Sequence, residues 1–104
     1  MEILINTDNN ITGTAEMIAY FKTSIAEDFD RFSEHLTRIE VKISDENGDK
    51  STGNDKRCVF EGRIKGMQPT VVTAYAPTVE KAVKEASDKL KTALDTVMGR
   101  LRNH

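Results

Sequence analysis

The chain has no tryptophan, one cysteine, two prolines and two histidines in 104 residues. A single thiol excludes an internal disulfide and any zinc cage built from several thiolates. The only imidazoles are His35 and the terminal His104, and no serine or cysteine sits in a motif that would activate it. The sequence therefore predicts no catalysis, no cofactor and no metal. No apolar run approaches the roughly 20 residues of a membrane span. MEILINTDNN has neither the basic start nor the apolar stretch of a signal peptide. The expectation is a cytoplasmic chain with no membrane and no small-molecule substrate among its partners.

What is present suits one domain, residues 1–104, with 38% hydrophobic and 31% charged residues and a modest core. A net charge of −2 argues against a generally basic nucleic-acid binder, but the charge is divided along the chain. Through Leu36 two basic residues stand against seven acidic ones; from Thr37 onward thirteen basic residues stand against ten acidic. Such asymmetry points to the later part of the chain as the side that meets a polyanion.

Periodicity supplies the elements. EILIN reads as a first strand with Ile3 and Ile5 on one face. Thr12 or Thr14 then caps a helix in which Ile18, Phe21, Ile25, Phe29 and Phe32 form one apolar stripe, opposite Glu16, Glu27, Asp30 and Glu34. In a second strand Ile39, Val41 and Ile43 point inward and Arg38, Glu40 and Lys42 outward. A third strand sends Cys58, Phe60 and Ile64 inward, so Cys58 is expected to be a buried structural thiol. GMQP is a turn, TVVTAYAP a fourth strand, and Thr78 caps a long last helix with a stripe from Val79 to Leu101. The order is β-α-β-β-β-α, an α+β domain with a four-stranded sheet and two helices packed on one face.

The connection SDENGDKSTGNDKRC is longer than the two to five residues a hairpin usually needs. Gly48 and Gly53 can take positive φ, and Asn47, Asp49, Asn54 and Asp55 can satisfy nearby backbone donors, which suits a structured excursion. It matches neither the ligand spacing of an EF-hand nor the order of a phosphate loop. Lys50, Lys56 and Arg57 offer cations to RNA phosphate, Arg57 through a planar fork, while Asp45, Glu46, Asp49 and Asp55 offset them.

In the last helix, at about 100° per residue, Lys84, Lys91 and Arg102 fall within about 20° of one another. Lys81 lies near that line, and Lys89 and Arg100 take the opposite flank. Such a row can follow RNA backbone. Spacing alone favours the plainer reading, in which Glu80, Glu85, Asp88 and Asp95 pair with these cations.

SDENGDK, DKRC, the E-x-R of Glu61 to Arg63 and the A-x-x-x-A-x-x-K-L of Ala82 to Leu90 resemble the ribosome hibernation-promoting factor and ribosome-associated inhibitor family, short form. The resemblance covers nearly the whole chain. It implies a fold akin to double-stranded-RNA-binding domains, bound to small-subunit ribosomal RNA in the decoding region, where it blocks messenger and transfer RNA during dormancy. It also implies a chain that is monomeric off the ribosome and, ending at His104, lacks the extra domain of long family members. The same resemblance turns the balance for the last helix toward RNA. The expected contacts are Lys84, Lys91, Arg102, Lys81 and Lys89, with Lys56, Arg57 and Arg63 from the third strand. The first helix is more acidic than an RNA-facing element of such a family should be. The competing expectation is a non-catalytic protein-interaction module of the same fold that uses that acidic helix.

Overall fold

The computed structural model describes residues 1–46, 53 and 55–102, with 100–102 as backbone alone. Strand β1 (Glu2–Thr7) leads into helix α1 (Ala15–Asp28) and a 3-10 turn (Asp30–Phe32). Strands β2 (Leu36–Asp45), β3 (Lys56–Ile64) and β4 (Thr70–Ala76) follow, and helix α2 (Val79–Arg102) ends the fold. The sheet order is β1-β2-β3-β4, with β1 parallel to β2 and the other pairs antiparallel. This is the expected β-α-β-β-β-α fold. Asn47, Gly48, Asp49, Lys50 and Asn54, expected to shape the long connection, lie outside the described residues, while Gly53 has a φ of +83°.

One layer of apolar side chains joins sheet and helices. Ile39, Val41, Ile43, Cys58, Phe60, Ile64, Ala74 and Ala76 are buried from the sheet, and Phe21, Ile25, Ala82, Ala86, Leu90 and Leu94 from the helices. α1 packs on β1, and α2 lies over β3 and β4. Gly62 lets α2 come close: a Cβ there would stand 3.4 Å from both methyl carbons of Leu90. The alternate residues of each strand face away from the helices, and no described element covers the second face of the sheet.

The local signals act as the residue types dictate. Thr14 caps α1, its hydroxyl accepting from the Met17 backbone N–H at 3.0 Å, and Thr78 does the same for Lys81 at 3.2 Å. Gly66, with φ +76°, turns the chain between β3 and β4.

α1 stops earlier than the apolar stripe suggests. Glu27 and Asp28 occupy its last turn with no basic residue there, an unfavourable arrangement against the helix dipole. The 3-10 turn keeps Phe32 on the buried side, so the stripe continues although the α-helix does not. Ile11, within the turn-rich segment after β1, joins the core, as does Met98 near the end of α2.

Burial pushes the Cys58 thiol from its ordinary 9.0 up to about 12. The unfolded thiol ionises first, so this group's contribution to stability is complete below pH 9 and falls as pH rises toward 12. The thiol is expected to resist a thiol reagent at pH 8 until the chain is unfolded by denaturant. Cys58→Ala should lower stability by about 1 kcal/mol, read by urea denaturation.

Candidate nucleic-acid interface

The lysines of α2 are turned outward by the same periodicity that buries Leu90 and Leu94. Lys81, Lys84 and Lys89 are exposed and Lys91 is half-buried. Asp88 sits between Lys84 and Lys91, 3.4 Å from each ammonium. Desolvation, the largest single influence on Asp88, raises its pKa, but the hydrogen bonds and charges of the two lysines together outweigh it and lower the pKa. The row is therefore an alternation of signs along one flank. Among the described residues Lys81 makes no ion pair. Arg102 continues the line as α2 backbone.

This flank borders a groove of about 380 Å³ between the helices, whose walls include Tyr20, Ser24, Asp28, Lys84, Ser87 and Lys91. Ser87 Oγ donates to Asp28 Oδ2 at 3.3 Å, joining the helices across it. Further along, Arg31 makes a two-point contact with Asp95, at 2.7 and 3.0 Å, and lies 4.2 Å from the Phe32 ring centroid. That bond is the main reason the Arg31 pKa is raised. These partners are 64 positions apart, and no sequence signal joins them.

Two expected RNA contacts have partners inside the protein. Lys89 Nζ donates to the Thr73 carbonyl at 2.8 Å, reaching from α2 to the edge strand β4. Lys56 Nζ lies 3.1 Å from Asp45 and 3.2 Å from Asp55, both buried carboxylates. The hydrogen bond to Asp45 is the first cause of its raised pKa. Lys56 thus holds the start of β3 to the end of β2. Lys56→Gln is expected to lower the melting temperature by removing the ammonium that the two carboxylates share.

Arg57 and Arg63 project from β3 onto the uncovered face. Arg63 Nε bonds Glu61 at 3.2 Å, and Arg57 Nε stands 3.6 Å from Glu46, a looser contact. Arg38 repeats the pattern with Glu40 at 3.2 Å. Among the described residues no group of three or more His, Cys, Asp or Glu is arranged to hold a metal. None of the described helices is long and apolar enough to cross a membrane.

Fold and site together define a small α+β domain that presents a lysine-bearing helix on one side and a bare sheet on the other. The chain belongs to the family described as sigma 54 modulation protein / S30EA ribosomal protein, whose model matches residues 4–102. Among solved structures it is similar to the N-terminal domain of Protein Y from Thermus thermophilus, with a TM-score of 0.72 and 20% identity over 93% of this chain and 99% of that one. It is also similar to a ribosomal subunit interface protein from Coxiella burnetii, with a TM-score of 0.72 and 13% identity over 95% of this chain and 99% of that one. At these identities the likeness is one of fold. No curated protein sequence matches the chain.

Proposed function

We propose that this chain inactivates ribosomes by occupying the small subunit near its decoding region, so that messenger and transfer RNA are sterically blocked. The observation that carries the reading is the outward lysine flank of α2 in a member of a ribosome-associated family. Lys81, Lys84, Lys91 and Arg102 would meet phosphate from α2, and Arg57 and Arg63 from β3. Lys56 and Lys89 would first have to give up internal partners, so they contribute less. Affinity comes from phosphate contacts and selectivity from shape, which is how proteins commonly recognise folded RNA. The chain works in the cytoplasm as a monomer until it binds, and needs neither cofactor nor metal.

Translation in a purified system tests this. Inhibition that rises with the ratio of chain to ribosome and is relieved by excess messenger is expected. Undiminished synthesis at molar excess of the chain would overturn the reading.

A second reading has one specific observation behind it. Glu16, Glu27, Asp30 and Glu34 are exposed, and none of them makes an ion pair among the described residues. An acidic surface so left suits a basic protein partner, and substitutions there separate the two readings.

A further inference from the structure

The uncovered face of the sheet is not uniform. Strand register sets its residues in rows that run across the strands. In one half, Arg38 lies opposite Arg63 and Glu40 opposite Glu61. Like charges directly opposite are unfavourable, and here each arginine bonds the glutamate on its own strand at 3.2 Å. That half neutralises itself.

The other half is built differently. One row holds Asn6, Lys42, Val59 and Thr73, and the next holds Ser44, Arg57 and Tyr75. Within the strands neither row contains a carboxylate; Asp8, just past the end of β1, is taken up by the backbone N–H groups of Asn10 and Asp45, which donate to it at 3.0 and 3.3 Å. Lys42 is exposed and makes no ion pair among the described residues. Among the described residues the one ion pair of Arg57 is the 3.6 Å contact to Glu46 beyond the strand end. Tyr75 lies directly across from Arg57 and is 49% exposed, an aromatic ring left in solvent on a rigid strand.

One cation directly across from an exposed ring and a second in the neighbouring row, with no carboxylate between them in the strands, match the chemistry of an unpaired nucleotide strand. Phosphates meet the cations, and every base offers a face for stacking. A duplex keeps its bases stacked on one another, so it cannot use the ring. We propose that this half of the open face binds single-stranded RNA, with one base stacked on Tyr75 and flanking phosphates held by Lys42 and Arg57. The site is on the side of the sheet away from α2, and it stands whether or not the lysine flank of α2 binds the small subunit.

The absence of tryptophan makes the test direct. In the full chain carrying Tyr20→Phe, Tyr75 is the sole tyrosine, and an unstructured RNA octanucleotide is expected to quench its emission saturably. With a labelled octanucleotide, Tyr75→Phe should keep the affinity and Tyr75→Ala lower it by roughly ten- to a hundredfold. Lys42→Gln should weaken binding and make its salt dependence shallower. Lys42 and Tyr75 are exposed on the face away from the core and Tyr20 is exposed on α1, and circular dichroism checks that each variant is folded. Lys84→Gln with Lys91→Gln should leave the quenching unchanged, so this site and the α2 reading fail separately. Absence of quenching, or an alanine variant that binds as tightly as the phenylalanine one, would overturn the proposal. So would displacement of the RNA by an equal concentration of an octaglutamate peptide, which would make the face a docking site for acidic protein.

Discussion

Replacing Lys84 and Lys91 together by glutamine is expected to weaken binding to the small subunit by about tenfold per lysine, the scale of a hydrogen bond to a charged group. Glutamine keeps helix propensity, and Leu90 and Leu94 stay buried, so the loss would be one of charge. Each phosphate contact releases condensed counterions, so the log-log salt dependence should become shallower by up to about one unit per lysine on the duplex-DNA scale. Asp88 gives the experiment a second arm. It holds both lysines at 3.4 Å, but exposed pairs of this kind contribute only about 0.2–1 kcal/mol, which a phosphate readily outcompetes. Asp88→Asn removes an opposing charge and frees both ammonium groups, and binding should tighten several-fold. Glu27→Gln with Glu34→Gln, on the acidic side, should leave affinity equal or slightly higher. If the lysine changes are silent and the glutamate changes costly, the acidic helix and a basic protein partner explain the chain better.

The largest effect on stability is expected at Phe60. Its side chain is fully buried on β3, with its ring centroid 6.4 Å from that of Phe29, so it ties the middle of the sheet to the segment that leaves α1. Phe60→Ala removes apolar surface and opens a cavity that close-packed neighbours fill only in part, at a cost of about 3–5 kcal/mol. A domain of this size has about 5–15 kcal/mol in all. Urea denaturation followed by circular dichroism should show a much lower midpoint with an unchanged slope. A midpoint shifted by less than a fifth of the wild-type value would mean that the two halves of the core do not depend on this ring.

The fold was legible because its signals are local. Alternation assigned the inward side chains of β2 and β3, and threonines before apolar stripes marked both helix starts. The end of α1 was less legible, since Phe29 and Phe32 keep the helical spacing while the carboxylates around them end the helix. Ile11 was hidden because a lone apolar residue among turn formers has no periodicity to place it. The lysine row of α2 could be read as a line, but pairing distances cannot be read from spacing. Only the structure shows Asp88 shared by two lysines, Lys89 turned to the Thr73 carbonyl, and Lys56 between Asp45 and Asp55. The patch of Lys42, Arg57 and Tyr75 required the register of three strands, which no single segment encodes.

Sedimentation of the chain with purified small subunits through a sucrose gradient tests the central claim most directly. The account predicts that the chain migrates with the subunits at low salt, that the bound fraction falls steeply as salt rises, and that Lys84→Gln with Lys91→Gln leaves most of it at the top. A wild-type chain that stays at the top of the gradient at low salt, with subunits in molar excess, would contradict it.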